Sequence, residues 1–337
     1  MKVKRMVFAI LLVGLVLGIT SFGWGANFLL DPNGPHSTGV WLNQDGWQPI
    51  GPNGNVSKWS VAAWGLDDGF KWPLNWIYDG AGIWRINHPI SGYLKWYPSP
   101  RGGFGLEISR DTTDDRWDEH DLEIDDALLP NCVAWEMANP YLPLGVLEDT
   151  LAPKISSLSE LKIKAWQQVV SSFQGTRRGG NEDFASTDLI VIFWNEVARQ
   201  QIWFYILTYD TRGDYPNNYW NQVGCRYDGA GFRGGGDFYE YIVIDSSPSY
   251  GVPVLQPGGS GKTFNLNILP RLIAAINNVP SPTPKENCAV TPIGDSAPLD
   301  TNLDHWKPET IYVGSILGGK AAIKTKHDSI NLTYILK

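Results

Sequence analysis

Cysteine is scarce. Cys132, Cys225 and Cys288 are the three in 337 residues. They allow one disulfide at most, leave one thiol over, and form no Cys-x-x-Cys pair of the kind that holds zinc. The five histidines show no ligand-like spacing either. Past the first 26 residues, no apolar run approaches the roughly 20 residues a membrane-spanning helix needs. Positive charge is also short, with 27 Lys and Arg against 35 Asp and Glu and a net charge of −8. That balance excludes nucleic acid and other polyanions as partners of the chain as a whole.

At the start of the chain, Lys2, Lys4 and Arg5 precede the apolar stretch Met6–Thr20, and Gly23 and Gly25 supply small residues beyond it. This is the pattern of a secretory signal over residues 1–26. It predicts a secreted, extracytoplasmic protein that touches a membrane only through this segment, if the segment is left uncleaved. Its removal takes away three positive charges, so the net charge moves from −8 to −11.

What the chain has in abundance is aromatic surface: 16 Trp and 14 Tyr. Flat rings with a polar handle suit both a core and the apolar faces of sugars. Short apolar runs broken by Gly, Pro, Asn and Asp fill the text from Asn27 to Gly105 and predict many short strands. Asn131–Met137 and the alternating Ser159–Val170 predict further strands. Asp188–Asn195 and Gln201–Tyr209 are continuous apolar runs joined by a short polar turn, which predicts a central hairpin buried on both faces.

Thr211–Gly236 reads as a long Gly-rich loop and Phe238–Asp245 as a strand. Leu269–Asn278 is the one helix, with Pro270 in its first turn. Thr310–Leu317, Lys320–Lys326 and Ser329–Leu336 read as a β-meander. Gly258–Thr263 lacks the first glycine of a phosphate-binding loop, since Gln256 stands there, and reads as a turn. No repeat or composition break divides the chain after residue 26. The expectation is one all-β domain over residues 27–337, an antiparallel β-sandwich with long loops and one short helix.

The densest chemistry lies between Asp114 and Asp126, where eight of 13 residues are Asp or Glu. With a period of two, Trp117, Glu119, Asp121, Glu123 and Asp125 share one strand face and Leu122 and Ile124 the other. Such a row fits three readings: a catalytic carboxylate set, a calcium site, or a solvated acidic edge. No cofactor is expected beyond that calcium ion. His120 falls on the aliphatic face and reads as structural. Tyr215, Tyr219 and Trp220, with Arg212, make the long loop a second candidate site that would bind a polysaccharide or oligosaccharide. Trp47, Trp72 and Trp76 also sit near polar turns and are candidate stacking platforms.

The Trp-rich sandwich pattern resembles the concanavalin A-like jelly rolls of lectins and polysaccharide-degrading enzymes. Glu119-His120-Asp121-Leu122-Glu123 is similar to the Glu-x-Asp-x-Glu strand of laminarinase and xyloglucan endotransglycosylase-type glycoside hydrolases. The resemblance implies a retaining hydrolase of a β-glycan, with Glu119 as nucleophile, Glu123 as acid/base and Asp121 tuning both. Their Cα atoms would lie about 13 Å apart along an extended strand. The side chains would therefore have to lean together to reach the roughly 5–5.5 Å of a retaining pair. Tyr312-Val313-Gly314-Ser315, followed by Gly318-Gly319, resembles the end of certain jelly-roll endoglucanases whose Gly-Thr-Glu segment carries the acid. Here Ile316 replaces that glutamate. The competing reading is a non-catalytic, lectin-like or cell-envelope protein.

Overall fold

The structure is a computed structural model. It describes residues 26–27, 40–42, 48–50, 60–64, 77–88, 92–101, 104–113, 133–140, 152–175, 183–212, 222–228, 238–278 and 299–337. In chain order the first strands are β1 (Ala26–Asn27), β2 (Val40–Leu42), β3 (Gln48–Ile50), β4 (Ser60–Trp64) and β5 (Ile77–Gly80). Then come β6 (Ile83–His88), β7 (Gly92–Pro98), β8 (Phe104–Asp111), β9 (Val133–Pro140) and β10 (Leu158–Gln174). The central hairpin is β11 (Phe184–Asn195) with β12 (Gln200–Asp210), followed by β13 (Gln222–Asp228) and β14 (Phe238–Asp245). β15 (Lys262–Asn267), helix α1 (Leu269–Asn278), β16 (Trp306–Gly318) and β17 (Ala321–Leu336) complete the set. Among the described residues α1 is the one α-helix, and no helix is long and apolar enough to cross a membrane.

These strands form two sheets. One has eight strands, in the order β15-β10-β17-β8-β7-β6-β5 with β1 against β17; the other has nine, in the order β13-β14-β12-β11-β16-β9-β4-β2-β3. Pairing is antiparallel except for β12 with β14 and β2 with β4. The all-β antiparallel sandwich expected from the sequence is therefore what the chain forms.

Period-two alternation builds the core between the sheets. Leu161 and Ile163 of β10 face Leu189, Val191 and Phe193 of β11 and Ile202, Phe204 and Ile206 of β12, all fully buried. Each such side chain contributes about 1.5–3 kcal/mol by leaving water. α1 buries Leu272, Ala275 and Ile276 in the same cluster. Arg271 holds it to the sheet through Asp245, at 2.9 Å from Nε to Oδ2.

The hairpin 188–209 and the helix 269–278 stand where the sequence placed them. The meander does not. β16 pairs with β11 and β9, whereas β17 pairs with β10, β8 and β1, so the last two strands lie in opposite sheets. The Gly318-Gly319-Lys320 crossing carries the chain between layers, with Gly319 at φ 64°. Ser329, at φ 56°, sits at a register shift inside β17, so residues 321–336 run as one bulged strand rather than two. The long loop is also shorter than expected, since β13 pairs with β14 inside Thr211–Gly236. Gly261 lies where the chain passes over Trp166: at φ 80°, an added Cβ would stand 2.4 Å from that ring. The Gly258–Thr263 segment is thus the turn into β15.

Candidate functional site

Because Leu189, Val191, Phe193, Ile202, Phe204 and Ile206 face the core, alternation puts Asp188, Ile190, Ile192, Gln201, Trp203 and Tyr205 on the outer face of the nine-stranded sheet. There Ile190, Ile192, Trp203 and Tyr312 form a second apolar cluster with Tyr205 packed against it. The rings of Trp203 and Tyr312 stack at 5.4 Å and 18°, and those of Trp203 and Tyr205 at 6.3 Å and 25°. Trp203 Nε1 donates to Gln201 Oε1 at 2.8 Å, and Gln201 Nε2 donates to Glu309 Oε2 at 2.9 Å. The result is an aromatic floor whose polar edges are fixed by amide and carboxylate partners.

Register extends the same face across the neighbouring strands. One row runs Ala62, Glu136, Gly314, Asp188, Leu207 across β4, β9, β16, β11 and β12. The next row holds Trp64, Ala134, Ile316 and Ser186, and on the other side lie Ser60, Ala138, Tyr312, Ile190 and Tyr205. Glu136 therefore occupies a register position ringed by Ala62, Gly314, Ala134 and Ala138. Glu136 is the one carboxylate of β9. Asp188 lies two strands away on the same row, with Cα atoms about 10 Å apart at ordinary strand spacing.

Asp188 is almost fully buried, and its Oδ1 has no hydrogen-bond partner. Burial, with the charge of Asp210 nearby, pushes its pKa up to about 8 against the opposing pull of Arg212. It is thus a carboxyl group held neutral at pH 7. Asp210 is its charged counterpart. It accepts Arg212 Nε at 3.0 and 2.9 Å on its two oxygens, the Arg212 Nη2 group, and the Arg212 backbone N–H at 2.8 Å. Arg212 also lies 4.2 Å over the Phe184 ring, which in turn occupies the space above Gly318.

Beneath this row, a buried polar chain crosses the core. Gln167 Nε2 donates to the Asp188 carbonyl at 3.2 Å and lies 3.0 Å from His327 Nδ1. His327 Nε2 is 2.9 Å from Thr325 Oγ1, which meets Ser315 Oγ at 3.0 Å. Thr187 Oγ1 donates to the Gly314 carbonyl at 2.7 Å. Burial drives the His327 pKa down to about 3, so the ring is neutral, with Nδ1 the acceptor and the proton on Nε2. The backbone of both Gly314 and Asp188 is therefore pinned from below.

Of the residues singled out from sequence, Arg212 lies on this face, engaged with Asp210. Trp117, Glu119, Asp121, Glu123, Tyr215, Tyr219 and Trp220 lie outside the described residues, as do Trp47, Trp72, Trp76 and His120. Glu136 and Asp188 were not singled out. Their signal was legible in principle: a lone acid among alanines in Ala134-Trp135-Glu136-Met137-Ala138, and an acid directly ahead of the apolar run 189–194. Among the described residues, no three His, Cys, Asp or Glu side chains gather closely enough to hold a metal ion.

No family model matches this chain, and no curated protein matches it. Solved structures do. One is endoglucanase cel12A from Rhodothermus marinus, at 9% identity and TM-score 0.38, covering 78% of this chain and 97% of that one. A family 12 xyloglucanase from Bacillus licheniformis matches at 9% and 0.36, covering 81% and 99%. The xyloglucanase domain of a type three effector from Sinorhizobium fredii, solved with cellobiose, matches at 10% and 0.35, covering 78% and 98%.

Proposed function

We propose that this chain binds a β-glycan on the outer face of its nine-stranded sheet and hydrolyses it there with Glu136 and Asp188. The observation that carries the reading is Asp188, a buried carboxyl without a hydrogen-bond partner on Oδ1 that is kept neutral two strands from Glu136. Glycoside hydrolysis needs one carboxylic acid to protonate the leaving oxygen and one carboxylate as nucleophile or base. Asp188 fits the acid, because burial and the fixed charge of Asp210 hold its proton at neutral pH. Glu136 takes the second role, from its register position on the same row as Asp188. Tyr205, half-buried against the buried rings of Trp203 and Tyr312, supplies stacking surface alongside. The protein works outside the cytoplasm in this reading, after loss of residues 1–26.

The test is reducing-sugar release from β-glucans, xyloglucan and mannans. Wild type is run beside Glu136→Gln, Asp188→Asn and Glu119→Gln, with and without calcium. Asp188→Asn is expected to lower kcat about 10²- to 10⁴-fold, and Glu136→Gln at least as much. Full activity in Glu136→Gln with loss in Glu119→Gln would move the centre to the acidic stretch 114–126. The anomer first released, read by proton NMR, separates a retaining pair leaning together from an inverting pair standing about 6.5–9.5 Å apart.

A second reading, a non-catalytic glycan binder, is favoured by Ile316. It fills the position where the resembling endoglucanases carry their acid, and Asp188 is only 1% exposed. Glycan binding that survives Glu136→Gln, with no turnover by wild type, identifies the binder.

A further inference from the structure

The opposite side of the sandwich carries a charge the rest of the chain does not predict. On the outer face of the eight-stranded sheet, Lys95, Lys324 and Lys326 gather around one carboxylate, Glu107. Lys95 and Lys326 are its cross-strand neighbours on β7 and β17. Tyr93 Oη donates to Glu107 Oε1 at 2.7 Å, Lys324 Nζ is 3.2 Å from Oε1, and Lys326 Nζ is 3.3 Å from Oε2. Burial would raise the Glu107 pKa, but the Tyr93 hydrogen bond and the two ammonium groups outweigh it and hold the carboxyl ionised. Among the described residues, no carboxylate reaches ion-pair distance of Lys95. Three positive charges thus face one negative charge, in a chain whose net charge is −8.

A shallow cleft of about 360 Å³ opens at this cluster, near the lower end of ligand-site volumes. Its polar lining is Lys95, Lys326 and Glu107; its apolar lining includes Tyr97, Ile83 and Pro98. Tyr97 is held against the backbone of β8, since its cross-strand partner is Gly105, where an added Cβ would stand 2.5 Å from the ring. The cleft therefore combines a fixed aromatic ring with ammonium groups in positive excess.

We propose that this cleft is a second saccharide site, specific for a carboxylate-bearing sugar. The apolar sugar face packs on Tyr97 and the uronate carboxylate pairs with Lys95, on the side away from Glu107, with Lys326 at the other rim of the cleft. A densely charged polyanion is repelled by the acidic remainder of the chain. A glycan with sparse uronate units is not, and the local excess selects it over a neutral one. The proposal extends the glycan reading to a site on the other sheet. A hydrolase built this way would hold an acidic side chain of its substrate while the neutral backbone reaches the Glu136 face.

The experiment is calorimetric titration of the full chain carrying Glu136→Gln, so that no ligand is cut. The probes are a glucuronate-substituted xylo-oligosaccharide, its unsubstituted counterpart, and vesicles containing anionic phospholipid. The acidic oligosaccharide is expected to show one binding event that the neutral one lacks. That event should weaken about three- to tenfold in Lys95→Gln or Lys326→Gln, weaken in high salt, and weaken in Gly105→Ala, which displaces Tyr97 while keeping the lysines. Equal binding of both oligosaccharides, or indifference to the lysine changes, overturns the site. Lysine-dependent binding of vesicles but not of the acidic oligosaccharide overturns it in favour of a lipid surface. If the neutral oligosaccharide fails to bind at all while the lysine-dependent event persists, the glycan face around Glu136 is the reading that falls.

Discussion

Asp188 and His327 are buried groups, one on each sheet and joined through Gln167, and their proton affinities are displaced in opposite senses. The pH dependence of stability can separate them. Asp188 has a folded pKa of about 8 against 3.8 for an ordinary aspartate. Between those values the native state binds a proton that the unfolded state has lost, so Asp188 makes stability fall as pH rises from about 4 to about 8. His327 has a folded pKa of about 3 against 6.5. Between those values the unfolded state holds the extra proton, so His327 makes stability rise with pH from about 3 to 6.5. Each contributes at most about a tenfold change in the folding constant per pH unit.

The two slopes oppose each other between about pH 4 and 6.5 and cancel there. Each substitution unmasks the other. Asp188→Asn should be more stable than wild type at pH 7, by an amount that shrinks as pH falls. Between pH 4.5 and 6.5 its advantage should change by roughly 3 kcal/mol. His327→Gln should lose stability steadily from pH 4.5 to 7.5. The assay is urea denaturation at half-unit pH steps, comparing slopes rather than absolute values, because both substitutions also alter hydrogen bonds. Parallel pH profiles for wild type and Asp188→Asn would show that Asp188 is ionised in the fold. That result would remove its role as a proton donor together with the stability argument.

Two further outcomes follow from packing. Gly318→Ala places a Cβ 2.2 Å from the Phe184 ring and should cost about 1–3 kcal/mol in chemical denaturation. A wild-type midpoint would mean that Phe184 does not lie over this strand. Phe204→Ala empties a fully buried position between the sheets and should cost about 3–5 kcal/mol, read as a lower urea midpoint at unchanged slope.

What the sequence made legible was local. The hairpin of residues 188–209 and the helix of residues 269–278 announce themselves through period and punctuation, and so does the alternation of Leu161, Ile163 and Ala165. Pairing partners do not, because nothing local says that residues 306–318 and 321–336 enter different sheets. β13 was hidden by the glycines around it. The acidic stretch 114–126 drew attention by density alone. Glu136 is a single acid whose meaning comes from Ala62 on one neighbouring strand and Gly314 on the other, far away in sequence. Asp188 reads as one more residue of an apolar strand until burial and Asp210 give it a proton.

The placement of β16 and β17 has a kinetic consequence. Each is an interior strand, β16 between β11 and β9 and β17 between β10 and β8. The contact of Thr112 with Ala321 closes a span of 209 residues. Until residues 306–336 insert, the nine-stranded sheet is two fragments with open edges and the eight-stranded sheet is two fragments with β1 left unpaired, and the completing contacts are among the least local in the chain. Such a topology folds slowly, because distant segments must meet before their pairing is rewarded. A chain in which these two strands have not yet inserted exposes unpaired strand edges in both layers at once, and the crossing at Gly318-Gly319 closes both sheets together.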